Sequence, residues 1–226
     1  MSGAAEDLMS TSLRQSLRSQ VLLADGAIGT ELQRLGLEPG ACAELWNVER
    51  PKDVYGVHRA YVAAGAQLIT TNTFRANRFA LEHYGLGSRV RELNLAAVAL
   101  ASEAAGKAAR VMGSVGPFGG FLEPLGEATA GEVFAAFAEQ CSALVEGGVS
   151  AIIVETMTAT EEMELAVRAA RESGAPLTFA CFAFDRVKSG YATIMGASPR
   201  VAAEAALRAG ADVVGCNCGS HLTIES

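Results

Sequence analysis

Short apolar runs alternate with longer amphipathic stretches along nearly the whole chain, and this alternation restricts the fold more than any single motif. The runs are VLLADG from Val21, AQLITTN from Ala66, ARVMGSVG from Ala109, AIIVET from Ala151, LTFACF from Leu177 and DVVGCN from Asp212. Each reads as a short strand buried on both faces. Between them, segments 54–65, 89–106, 131–148, 161–174 and 200–210 carry apolar residues at helical spacing, and several close on glycine, the usual residue after a helix C-terminus. Strand and helix in strict alternation mean parallel strands joined by right-handed crossovers. That leaves a doubly wound α/β sheet or a (β/α)8 barrel.

The strand ends favour the barrel. Polar or glycine-rich clusters follow strand after strand: Asp25-Gly26, Thr71-Asn72-Thr73, Gly113 to Pro117, Glu155-Thr156 and Asn217-Cys218. A barrel gathers its site from the C-terminal ends of many strands, whereas a doubly wound sheet uses those near its switch point. The expected fold is therefore an α/β (β/α)8 TIM barrel with about six of its eight strand-helix units present, the sixth helix only begun at HLTIES. An open six-strand sheet would leave a long unpaired edge. The alternative is a six-strand doubly wound domain that needs no further chain. Residues 1–20 read as an N-terminal helix or disordered leader, and 21–226 as a partial barrel domain.

Composition removes several function classes. The 226 residues are 50% hydrophobic, enough for a sizeable core, and the formal charge of -7 comes without a Lys/Arg cluster, so no nucleic-acid footprint is present. The opening twenty residues lack the apolar core of a secretory signal, and no apolar run is long enough to span a membrane, so the reading is cytoplasmic. The five cysteines, Cys42, Cys141, Cys181, Cys216 and Cys218, are an odd number in a chain without an export signal. They read as thiols, most of them core filler.

The sharpest local signal is GCNCGSH, 215–221, at the end of the sixth strand. A thiolate there can ligate zinc, but the side chains of a C-x-C pair point to opposite faces while the strand continues, so at most one lines the barrel mouth. Asp25 precedes the turn Gly26 to Thr30 and either receives an ammonium group or caps the helix TELQRLG. Glu155 ends a strand too apolar to hold a carboxylate without a partner, which makes its functional reading the stronger. Thr71, Asn72 and Thr73 either grip an amino-acid backbone or satisfy the loop. Neither glycine-rich nucleotide motif occurs. His58 and His83 lie on helical stretches without metal-ligand spacing and read as surface or core residues.

Taken in order, LLADGAIGTELQRLG, TTNTFRAN, GSVGPFGG, VETMT and GCNCG resemble the successive strand-end motifs of the homocysteine S-methyltransferase family over residues 21–220. The resemblance implies a zinc enzyme that transfers a methyl group to the metal-activated thiolate of homocysteine, giving methionine. It places Cys218 as a metal ligand, Asp25 and Gly26 at the amino-acid group of homocysteine, Thr71 beside it and Glu155 on its ammonium, with Asn72 and Asn217 in support. Cys216 occupies the variable position of the G-x-N-C element and gains no ligand role. The Cys-Cys pair that completes the family's zinc site does not occur in these 226 residues. The implied partners are homocysteine and a methyl donor such as methylcobalamin, methyltetrahydrofolate, S-methylmethionine or betaine, and oligomerisation stays open. The rival readings are an inactive fragment or non-catalytic partner subunit with the barrel fold, and a zinc-free barrel lyase using Glu155 as general base.

Overall fold

The computed structural model describes residues 12–188 and 190–219. Its strands are β1 (Leu68–Thr70), β2 (Arg110–Val115), β3 (Ala151–Met157), β4 (Thr178–Phe182), the short pair β5 (Asp185–Val187) and β6 (Gly190–Ala192), and β7 (Val213–Cys216). The main sheet is parallel in the order β1-β2-β3-β4-β7, and β5 with β6 forms a separate antiparallel hairpin. Segment 21–25 extends the sheet beyond β1: Ala24 bridges Leu68 in parallel, and Asp25 N donates to Leu68 O at 2.9 Å. It pairs through this bridge and not as a full strand.

Strand order settles the choice left open by the alternation. Every strand of the main sheet pairs with the one before it in the chain, with no reversal of the kind that creates a doubly wound switch point. The helices form a single rank: α4 (Pro51–Ala63) packs on α6 (Val90–Ala105), α6 on α7 (Ala130–Glu146), α7 on α8 (Thr160–Glu172) and α8 on α9 (Pro199–Ala209). Helices in sequence along one face of a consecutively ordered parallel sheet are the arc of a TIM barrel. Among the described residues that arc is open.

Side chains alternate across the sheet, so each strand feeds two cores. Ile69, Val111, Val115, Ile152, Val154, Ala180 and Phe182 face the helices. Leu68, Met112, Ala151 and Phe179, with Ile153 and Val213 against them, line the inner face together with Leu13. Leu13 comes from α1 (Leu13–Ser19), whose N-terminus is capped by Ser12 accepting from Gln15 N at 3.2 Å. Arg14 ties this helix to Asp212, at the start of the last strand, at 2.5 Å. Residues 1–11, His221 and the HLTIES segment lie outside the described residues.

The remaining helices are α2 (Ile28–Arg34), α3 (Trp46–Glu49) and α5 (Arg78–Glu82). Neither α5 nor the β5-β6 hairpin is foreseen from periodicity, since both are too short for the pattern to repeat. No helix among the described residues is long and apolar enough to cross a membrane.

His58 belongs to the core. It sits on α4, fully buried, and neither ring nitrogen has a hydrogen-bond partner. Burial lowers its pKa to about 4, so the folded protein holds it neutral. Below its unfolded value of about 6.5 the unfolded chain takes up a proton that the folded one refuses, and stability falls as pH drops from there towards 4. His58→Leu is expected to raise stability by about 1–2 kcal/mol at neutral pH, because two unsatisfied polar atoms leave the core. The gain should widen towards pH 5, as read from denaturant unfolding at both pH values.

Candidate functional site

The inner face of the sheet turns polar where the strands end. Ser114 on β2 continues the inner-facing register of Met112, and Glu155 on β3 continues that of Ala151 and Ile153. The pairing of β3 with β4 slips between Val154 and Met157, a bulge-like irregularity of the kind that re-aims side chains at barrel rims. Glu155 lies within that slip. Its Oε1 accepts from Ser114 Oγ at 2.7 Å and its Oε2 from Asn217 Nδ2 at 2.8 Å.

Asn217 holds the irregular backbone in place. Its Nδ2 also donates to Thr156 Oγ1 at 3.0 Å, and its Oδ1 accepts from Thr156 N at 3.0 Å. Thr156 has φ 61°, an unfavourable conformation for a β-branched residue, costing roughly 1–3 kcal/mol. The two bonds from one amide offset that strain and lock the ends of β3 and β7 together.

Asp25 faces the same mouth. Its Oδ2 accepts from Thr70 N at 2.7 Å and both its oxygens lie within hydrogen-bond reach of Thr70 Oγ1. It does not cap the following helix, because the N-cap of α2 is Ala27, without a side-chain bond. Gly26 lets Tyr61 come close: a Cβ there would lie 2.9 Å from Tyr61 Oη, which donates to Ala27 O at 3.0 Å, and would displace the tip of that ring. Burial lifts the Asp25 carboxyl to about 7, with the Thr70 bonds pulling down and the Glu155 charge adding to the rise. Burial also raises Glu155, partly countered by Ser114 and Asn217. Neither carboxylate has a Lys or Arg partner among the described residues. Two partly desolvated acids without a cation, the charge of one raising the other, make a site for a compact positive group.

Thr71, Asn72 and Thr73 serve the loops. Thr71 Oγ1 accepts from Ser114 N at 3.0 Å and pairs with Thr73 Oγ1 at 2.6 Å, and Thr73 Oγ1 also lies 2.7 Å from Ser114 O. The Asn72 amide donates to Ala43 O at 2.7 Å and to Asn47 Oδ1 at 3.0 Å. The structure thus brings Asp25 and Glu155 to the mouth with Thr70, Ser114, Thr156 and Asn217, while the buried Asn72 amide is turned to the neighbouring segment. Thr70 and Ser114 escape motif reading, yet each is a polar residue in phase with the inner face, two positions beyond Leu68 and Met112 respectively. That phase is the signal that locates them.

Cys216, at the end of the last strand, pairs in register with Phe182 of β4, and Cys218 lies beyond that strand with φ 52°; both are exposed. Cys181, half-buried beside Gly215, is held as a thiol: burial pushes it up to about 12, helped by the Glu155 charge. No group of three or more His, Cys, Asp or Glu side chains is placed to hold a metal ion among the described residues. Structural and catalytic zinc sites take at least three protein ligands, so these residues do not by themselves fit zinc.

Comparison with known proteins supplies the lineage. The family model "Homocysteine S-methyltransferase" matches residues 22–225. Methionine synthase of Mycobacterium tuberculosis is 31% identical over 236 residues, covering 97% of this chain and 20% of that protein. Methionine synthase of Mycobacterium leprae is 31% identical, covering 93% of the chain and 18% of the relative. The chain thus spans about a fifth of the length of these curated relatives. Among solved structures, the metallated form of the homocysteine methyltransferase MmuM from Escherichia coli superposes with a TM-score of 0.75 at 24% identity, covering 94% of this chain and 79% of that one. The oxidized form gives 0.72 at 27% identity, covering 91% and 76%. The MmuM likeness carries the barrel architecture, and the family match runs through every strand end described above: this chain belongs to the homocysteine S-methyltransferase family.

Proposed function

We propose that this chain forms the homocysteine-binding part of a homocysteine S-methyltransferase, receiving the amino-acid end of homocysteine at the mouth of the barrel. The observation that carries the reading is the pair Glu155 and Asp25, half-buried, each held by neutral hydrogen-bond donors and without a basic partner among the described residues. An ammonium group brought between them would supply the missing positive charge, with Glu155 aimed by Ser114 and Asn217 and Asp25 held by Thr70. Gly26 leaves room for Tyr61 beside Asp25. Thr71 and Asn72 act from behind, through the loop backbone.

In the whole enzyme the homocysteine sulfur would take a methyl group from a donor and lose its proton, giving methionine. Cys218 is offered as one zinc ligand. One thiolate does not complete a zinc site, so metal activation of that sulfur requires ligands beyond the described residues. The donor, methylcobalamin or methyltetrahydrofolate among those the resemblance allows, would approach from outside this carboxylate pocket.

The test is calorimetric. Homocysteine should bind the purified, reduced chain, and its analogue lacking the amino group should bind at least about 30-fold more weakly, the lower end expected when one member of a buried charge pair is removed. Equal binding of the two would remove the ammonium from the reading. Zinc measured per chain on the same samples reports separately on Cys218.

A further inference from the structure

Glu162 is a buried acid that the proposed binding reading does not use. It lies in the first turn of α8, 6% exposed, and has no cationic partner among the described residues. Its Oε1 accepts from Phe118 N at 2.7 Å. Phe118, itself buried, belongs to the loop after β2, whereas Glu162 belongs to the helix after β3. Ser114 and Glu155 end those same two strands and meet at 2.7 Å. Beyond the β2-β3 backbone ladder, which runs to Val115 and Val154, two side-chain hydrogen bonds link these strand ends, Ser114–Glu155 and Phe118–Glu162.

The loop's other ties run away from β3. Gly116 N donates to Phe74 O at 2.8 Å, Asn77 Nδ2 reaches Pro117 O at 3.4 Å, and Gln140 Nε2 on α7 reaches Thr73 O at 2.8 Å and Ser114 O at 3.3 Å. Gly116 is pressed so close to Phe74 that a Cβ would fall 2.6 Å from its carbonyl oxygen. Beyond Ser114, the hydrogen bond that draws this loop towards the β3 side is the one from Phe118 to Glu162. A carboxylate accepting a backbone N–H in a helix's first turn is a strong form of such a link.

We propose that Glu162 is a positioning residue for Glu155: by holding Phe118 N–H it keeps the loop at 116–120 against β3 and so keeps the Ser114 hydroxyl on the Glu155 carboxylate. Its use in catching an ammonium rests on the binding reading above. The mechanical link does not. A neutral acceptor of the same length suffices for the link, so glutamine should replace Glu162 and shorter side chains should not.

The experiment follows the Glu155 side-chain carboxyl by carbon-detected NMR titration in the full chain, for the parent and for Glu162→Ala, Glu162→Gln and Glu162→Asp. Ser114's bond holds the Glu155 carboxyl down, so its loosening in Glu162→Ala should raise the Glu155 midpoint by about half to one pH unit relative to Glu162→Gln. Both variants lose the same charge, which cancels in that comparison. Glu162→Asp keeps the charge and loses the reach. It should also raise the Glu155 midpoint above the parent's, with faster amide exchange at Phe118, and it stands in if Glu162→Ala does not fold. Equal Glu155 midpoints in Glu162→Ala and Glu162→Gln, or a parent-like midpoint in Glu162→Asp, would overturn the proposal. If these shifts appear but the parent does not distinguish homocysteine from its des-amino analogue, positioning stands and the ammonium reading falls.

Discussion

Glu155→Gln is expected to weaken homocysteine binding by about 30-fold to more than 1000-fold while leaving the des-amino analogue nearly unaffected, because it leaves a buried ammonium without its countercharge. Glutamine keeps the volume, and turned so that its oxygen accepts from Asn217 Nδ2 it presents its NH2 to the Ser114 hydroxyl, which can accept. Asn217 thereby keeps its two bonds to Thr156, which hold a φ of 61°. Stability should therefore change by less than about 1 kcal/mol. Calorimetry with the two ligands separates the effects: a fold defect weakens both, whereas loss of the countercharge weakens only the ligand that carries an amino group. An unchanged affinity ratio would remove Glu155 from ammonium recognition.

The second large effect is in pH. The Asp25 carboxyl is raised from 3.8 to about 7, so the folded protein holds a proton there that the unfolded chain releases. With the folded state binding more protons, stability is fully present below about 3.8 and is lost as pH rises towards 7. The complete shift corresponds to an upper bound of about 4 kcal/mol. A cationic ligand reverses the preference, since it favours the ionised acid and expels that proton. Homocysteine affinity should then rise with pH, by up to about tenfold per unit between pH 5 and 7 for one proton released, and level off above. Glu155 is raised as well, by burial, and its charge adds to the rise of Asp25. Asp25→Asn should flatten the rise in affinity and remove Asp25's share of the pH dependence of stability, leaving that of His58, Glu155 and Glu162. A wild-type affinity that is level from pH 5 to 8 would contradict the reading.

Much of the barrel is legible in the chain because its physical cause is local. Apolar runs such as AIIVET need burial on both faces, and the helices between them show their period, so 131–148 anticipates Ala130–Glu146 closely. The order of the strands is not local. It follows from which edges pair, and here the consecutive pairing is what separates a barrel arc from a doubly wound sheet. At the candidate site, Glu155 is legible because an acid closing so apolar a strand demands partners. Those partners are less so: Ser114 is hidden inside a glycine-rich motif, and Thr70 sits one residue before the Thr71-Asn72-Thr73 cluster that attracts attention. Three polar residues in a row cannot all face one side of a strand, and here they turn to the backbone of neighbouring segments. Glu162 could not be found from spacing at all, because its partner is a peptide N–H on another loop.

The consecutive order of the strands also bears on how the chain acquires its shape. Each strand of the main sheet pairs with the main-sheet strand before it, the β5-β6 hairpin lying between β4 and β7 in the chain, and each helix of the rank packs on its predecessor. Each pairing closes one crossover and needs no strand made later. The arc can therefore assemble in the direction of translation, each emerging strand-helix unit finding a finished edge as its template. Two contacts wait for the last strand: Arg14 with Asp212, and the Glu155 clamp, whose Asn217 lies more than sixty residues downstream, so the rim of β3 takes its final form only after the last described strand has docked.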